Sequence, residues 1–322
     1  MNTLKWLIRR ELWEHKGAFI RAPLAVAAVL VLLIGGGFLY GMAASGGVQF
    51  QVNGDTLLTI NGVPQPARMH IAALVASNYL AITAPLFLVL PVVAFFYCLA
   101  TLHDDRRDRS ILFWKSLPLS DGHTVLSKAL VPLVVAPLIT VAIGIAAALV
   151  LVVIGLLGGA VNGANLIAPV LANRNFYLAP LYLISFLPVY ILWALPSVGW
   201  LLLVSSWARS KVFLWAVGLP LVTLGLLAWF NFLMRRFGGP SINYRWFGEE
   251  VVARILGGLF PGIWFGDIEG AKLATEQLGI DGPTLLGLSY ATLLTPGVWV
   301  AGAAGCAMLY GAVRVRRWRD EG

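Results

Sequence analysis

The chain has 322 residues, of which 59 % are hydrophobic and 12 % charged, and its net charge is +8. A soluble globular domain carries about 25 % charged residues, so this composition excludes a water-soluble fold and points to a membrane protein. The positive balance would suggest nucleic acid in a soluble protein; here it reads as a topology signal and as attraction to anionic lipid.

Residues 1–21 read as an amphipathic helix ahead of the first apolar block. Leu4, Leu7, Ile8 and Leu12 share one face, with Lys5, Arg9 and Lys16 elsewhere on the wheel. Such a helix lies in a membrane interface, with Trp6, Arg9, Arg10 and Trp13 as its interfacial residues. Six blocks follow without Asp, Glu, Lys, Arg or His: 24–44, 79–102, 129–158, 177–206, 212–233 and 286–312. A helix needs roughly 20 apolar residues to cross about 30 Å of hydrocarbon. The blocks are too continuously apolar for alternating barrel strands, so the expected fold is an all-α polytopic membrane protein, one transmembrane domain over 1–322.

Between the first two blocks, Val48, Phe50 and Val52 alternate with glutamines. Asn53-Gly54-Asp55 and a second apolar run, Leu57 to Ile60, come next, predicting a small external β-hairpin. Pro85 and Pro91 in the second span, and Pro180, Pro188 and Pro196 in the fourth, predict bends with freed carbonyls. Cys98 and Cys306 fall in spans, so no disulfide framework is expected. Segment 234–285 sets Val251, Val252, Ile255, Leu256 and Leu259 against Glu249, Glu250 and Arg254 at helical spacing, with Pro261-Gly262 in the middle. It predicts two short helices in, or dipping into, the outer interface; the charges are too costly at mid-membrane for a full span. With both termini inside, all 23 basic residues fall on inner segments except Arg68, Arg174, Arg235, Arg236, Arg245, Arg254 and Lys272, which predicts cytoplasmic termini. Arg235-Arg236 is the one basic pair on the wrong side.

Several chemistries are excluded. There is no H-E-x-x-H, and His15, His70, His103 and His123 are scattered and lack cysteine partners, so no metal site is expected. Ser197 lies in a span without a histidine to activate it, and no span holds two acids. No span carries the ionisable residue that proton-coupled carriers place at mid-membrane. "GDIEGAKLA", Gly266 to Ala274, lacks the Gly-Lys of a phosphate-binding loop. If ATP drives this protein, another chain hydrolyses it.

The densest charge lies in the loop 103–128, "HDDRRDRSILFWKSLPLSDGHTVLSK". A positive-inside anchor needs no acids, yet Asp104 to Arg109 alternates signs, as suits docking on a soluble partner by charge pairs. Ile111 to Trp114 are apolar where a solvated linker would be polar. Pro118 ends that helix, and Ser120 or Asp121 caps the next.

This stretch resembles the loop between the second and third spans of ABC transporter export permeases, the drug, lipid and polysaccharide exporter class, whose pattern is a charged helix end followed by S-I-L-F-W-K-S-L-P-x-S. About 25 residues carry the sequence likeness, and the expected topology agrees along the whole chain. The resemblance implies a permease subunit of the bacterial inner membrane that pairs with a second permease subunit, homo- or heterodimer. Two separate ATP-binding cassette ATPase subunits would hold ATP and magnesium, with no cofactor in this chain. It implies that 103–120 is the coupling helix, with Asp104, Asp105, Arg106, Arg109, Ser110, Trp114, Lys115 and Pro118 as coupling residues. The first, second and fifth spans would line the path. Charge-free spans suit an apolar or amphipathic cargo such as a peptide, antibiotic or lipid-like molecule, with Trp215, Trp229 and Asn231 as candidate path or dimer contacts. The alternative is a non-transporting membrane scaffold or sensor that binds a cytoplasmic partner.

Overall fold

A computed structural model describes residues 3–45, 49–52, 56–59, 65–107, 120–162, 165–240, 243–267 and 282–318. Among them, six helices are long and apolar enough to cross a membrane: Gly17–Ala44, Arg68–Arg107, Asp121–Val161, Arg174–Trp207, Leu214–Arg236 and Pro296–Trp318. The chain is a multi-pass helical membrane protein. Its core lies among the second, third, fourth and sixth spans, where Ala94, Cys98, Val125, Val198, Leu202 and Ala312 belong to one buried cluster. The first and fifth spans are the least buried of the six.

The fourth and sixth spans approach closest. A Cβ on Gly199 would come 2.5 Å from the Gly305 carbonyl oxygen, and one on Gly305 would come 2.7 Å from the Leu195 carbonyl. In lipid no hydrophobic force favours helix–helix over helix–lipid contact, so backbone approach through small residues is what gains packing.

Proline shapes the spans in a repeated way. In the first, third and fifth spans a π-helical turn sits just before a proline: Gly17–Arg21 before Pro23, Val131–Val135 before Pro137, and Leu214–Gly218 before Pro220. A missing proline N–H orphans the carbonyl one turn back, and a wider turn lets the helix continue around that gap. The second span takes the tighter solution, a 3₁₀ stretch Tyr79–Leu88 enclosing Pro85. The fourth span breaks at Phe186, between helices Arg174–Ser185 and Leu187–Trp207, with Pro188 in the first turn after the break.

Several expected boundaries move. The sixth span begins at Pro296 instead of 286; a separate helix, Gly282–Ala291, and a 3₁₀ turn precede it. Thr295 is extended because the residue before proline is pushed out of the α region. The third helix begins at Asp121 with Ser120 as its cap, as expected, and runs without a break into the uncharged block at 129, so the first turns of the span carry Asp121 and Lys128. The N-terminal helix covers Thr3–Glu14, not 1–21, and its apolar stripe faces protein: Leu7 is buried, and Ile8 and Leu12 pack on the main core. Arg235 and Arg236, misplaced by charge alone, occupy the last turn of the fifth span, where cations complement the helix dipole. Strands Gln49–Val52 and Thr56–Thr59 pair antiparallel, Gln49 opposite Thr59; the Asn53-Gly54-Asp55 turn lies outside the described residues.

Overpacking a tight contact costs about 1–3 kcal/mol. Gly305→Ala is therefore expected to lower the thermal unfolding midpoint in detergent. Gly36→Ala in the first span, where nothing lies within 4 Å of the added methyl, should hold or raise it through helix propensity. Equal midpoints for the two variants would show that the fourth–sixth contact is not tight.

Candidate functional site

The site is built around an ammonium that the third span carries indoors. Ser120 caps this helix, its hydroxyl accepting from His123 N–H at 3.3 Å, and Asp121 sits favourably in the first turn. Helical spacing then puts Thr124, Val125 and Lys128 on one buried face. Lys128 is 2 % exposed. Its Nζ lies 3.1 Å from Glu11 Oε1 and 3.3 Å from Asp105 Oδ2. It also donates to Thr101 Oγ1 at 2.7 Å and to the Thr101 carbonyl at 3.3 Å.

Each partner arrives by its own periodicity. Glu11 stands one turn beyond Leu7 on the buried stripe of the N-terminal helix. Tyr97, Thr101 and Asp105 repeat every fourth residue along the second span, and the Tyr97 hydroxyl donates to Glu11 Oε2 at 3.0 Å. Arg316, buried near the end of the sixth span, reaches Asp105 Oδ2 at 3.4 Å and Asp121 Oδ1 at 3.2 Å. Arg10 completes the set, 3.4 Å from Glu11 and 3.0 Å from Glu14. One network thus joins the N-terminal helix to the second, third and sixth spans. Arg316 also bridges Asp105 and Asp121, the two roots of the charged loop.

Burial alone would raise the Glu11 carboxyl, but the Lys128 ammonium, with help from Arg10 and the Tyr97 hydroxyl, outweighs it and holds the group below its ordinary value. Lone buried ions cost several kcal/mol each, and the network is tolerable because every ion here meets an opposite charge.

Of the expected coupling residues, Asp105 and Arg106 are turned inward. Arg106 donates from Nη2 to the carbonyls of Ser205, at 2.5 Å, and Ala208, at 3.0 Å, closing the end of the fourth span. Asp104 is half-exposed beside His103 at 3.3 Å. Arg109, Ser110, Trp114, Lys115 and Pro118 lie outside the described residues. On the N-terminal helix, Trp6, Arg9 and Trp13 are exposed while Arg10 turns to its two glutamates. The three path or dimer candidates do not share a face. Trp215 and Trp229 are exposed, whereas Asn231, two residues on, is buried within the chain. Glu11, Tyr97, Thr101, Lys128 and Arg316 were not foreseen. The available signals were a glutamate inside an apolar stripe and a lysine one turn before a span.

A second polar group enters from the opposite end of the bundle. Segment 244–257 runs inward along the fourth span until Gly257-Gly258; Gly258 lies so close to the Trp193 carbonyl that a Cβ would collide with it. The Ser197 hydroxyl donates to the Arg254 carbonyl at 2.7 Å. Ser197 stands about 15 Å along the helix from Trp207, half the ~30 Å hydrocarbon thickness, so the segment dips to mid-depth. Its buried cation is paired: Arg254 meets Glu250 at 2.8 Å, stacks 4.9 Å over the Trp193 ring and reaches back toward Gly297 at the start of the sixth span. Gly262, at φ +87°, reverses the chain. Beside this turn lies an almost wholly apolar cleft of about 480 Å³ between the second, third and fourth spans, with Tyr190 and Trp264 on its walls.

Removing one partner from a buried pair costs about 3–5 kcal/mol. Lys128→Met is therefore expected to be strongly destabilising, and Glu11→Gln/Lys128→Met less so than the sum of the two single changes, measured as a thermal double-mutant cycle. With its folded value depressed, Glu11 contributes stability that is complete above the ordinary carboxylate range and is lost as pH falls through the lowered value. Glu11→Gln should flatten that acid limb; an unchanged limb would place the titration elsewhere.

Comparison of the chain with protein families, with curated protein sequences and with solved structures finds no match.

Proposed function

We propose that this chain is the membrane-spanning permease subunit of an ATP-driven ABC exporter, with its termini and charged loop on the cytoplasmic face. A separate ATPase docks on the 103–120 loop and supplies ATP hydrolysis. The observation that carries the reading is the clasp at the base of that loop: Arg316 holds both Asp105 and Asp121, and Lys128 ties Asp105 to Glu11. A push on a loop rooted this way reaches the N-terminal helix and the second, third and sixth spans as one body. The first and fifth spans, least buried in the chain, are the parts left to pair with a second permease subunit and to line a path between them. The cargo is apolar or amphipathic, in keeping with spans whose exposed residues are largely Leu, Val, Phe and Trp.

The test is co-purification from the native host in mild detergent, with the bound subunits identified by mass. The expected result is a stoichiometric soluble ATPase that is lost in Arg109→Ala/Trp114→Ala while the permease still inserts and melts normally. A lone protein, or a partner without a nucleotide site, would favour a non-transporting scaffold or sensor instead.

A further inference from the structure

A second cleft, of about 440 Å³, opens at the end of the bundle that carries the clasp. Among the described residues its walls are His103, Arg106, Arg107, Arg209, Ser210 and Lys211, with Ala208, and none of these is a carboxylate. Its shape has a physical origin. Arg106 pulls the Ser205 and Ala208 carbonyls onto the end of the second span. Lys211 then turns the chain back with φ +53°, the one positive φ of a non-glycine among the described residues, a conformation that costs L-residues roughly 1–2 kcal/mol. The Lys211 carbonyl accepts from Leu214 N–H at 2.9 Å and so starts the fifth span, whose positive dipole end faces the same cleft. Arg209 and Lys211 are exposed and form no ion pair among the described residues.

An independent observation concerns what lies next to this basic hollow. Directly after Lys211, Phe213 and Leu214 are more than half exposed, and Trp215 is nearly so, its ring 5.1 Å from that of Trp207. Cations in a concavity and an uncovered apolar and aromatic strip therefore adjoin within one turn, at the level where the second and fourth spans end and the fifth begins. Aromatic rings of this kind settle at the headgroup boundary, and basic hollows between span ends take acidic headgroups.

We propose that this cleft is a binding site for an anionic phospholipid, its phosphate seated between Arg209 and Lys211 and its acyl chains lying along Phe213, Leu214 and Trp215. Free phosphate would use the cations and leave the strip without a role. An acidic protein would have to seat against residues at the edge of the hydrocarbon. A bound lipid satisfies both halves at once.

The full-length protein is titrated in detergent with phosphatidylglycerol or phosphatidylcholine of the same acyl chains, and the lipid retained is read by native mass spectrometry. Wild type is expected to retain phosphatidylglycerol preferentially. Arg209→Gln/Lys211→Gln should lower that retention by roughly fivefold for each cation removed, while Arg209→Lys/Lys211→Arg keeps it. Arg314→Gln/Arg317→Gln, which removes exposed cations from the end of the sixth span, should leave it unchanged. Thermal midpoints confirm that the variants fold, and the charge-conserving swap keeps the test decisive if the glutamine variant does not. Equal retention of the two lipids by wild type overturns the proposal. An equal loss in the Arg314/Arg317 variant overturns it too, by showing general surface attraction. Full displacement by inorganic phosphate alone identifies a phosphate site and excludes the lipid. A co-purifying acidic protein that leaves with the Arg209/Lys211 variant, with lipid preference intact, assigns the cleft to a protein partner.

Discussion

An ammonium that is 2 % exposed must be neutralised where it stands, and the groups that neutralise Lys128 come from separate parts of the chain. That requirement fixes more of the structure than any apolar contact. It draws the N-terminal helix onto the bundle through Glu11, sets the rotation of the second span through Thr101 and Asp105, and explains why the third helix starts before its apolar block. Apolar surfaces slide past one another at little cost. A shared buried ion does not allow this, because any displacement strands a charge.

The rest of the bundle divides around that fixed point. Glycines close the fourth span against the sixth, and polar donors lock the fourth to the second: Ser205 donates to the Leu99 carbonyl at 2.8 Å and accepts from His103 N–H. Four helices thus form a stiff block, and the proline-linked π turns lie in the first, third and fifth spans. Only the third of these is deep in the block. The first and fifth spans are the least buried of the six, and their irregular turns are where they touch the block, through Phe19 and Ala216 of the main core.

Much of this was legible in the sequence, for a plain reason. Hydrocarbon forbids unpaired charge over a known thickness, so uncharged blocks of spanning length announce themselves, and six of the six helices lie where those blocks are. Their ends were less legible. Pro296 marked the place where the last block breaks, but spans accommodate proline as a bend as readily as a break, so the sequence did not distinguish the two. Short helices in segment 244–257 were expected from the spacing of its apolar residues, but their packing along the fourth span depends on Gly258 meeting Trp193, a contact between residues distant in sequence. The clasp was missed for a related reason. Asp105 and Arg106 read as surface charges because they sit in a charged run, and nothing local distinguishes a carboxylate facing solvent from one facing Arg316. Glu11 in an apolar stripe was one local hint, since a glutamate there needs a buried cation, and Lys128 at the edge of an apolar block was the other.

The Asp105–Arg316 pair joins residues 211 positions apart, and this has a consequence for how the protein is made. Chains emerge from the N-terminal side at about 5–20 residues per second, so Glu11 and Asp105 wait for Lys128, and Asp105 and Asp121 wait far longer for Arg316. Until the sixth span is synthesised, Asp105 and Asp121 lack the Arg316 guanidinium, and the nascent bundle has reason to stay loosely assembled. The arrival of that span supplies the cation and ties the inserted helices into a single rigid body.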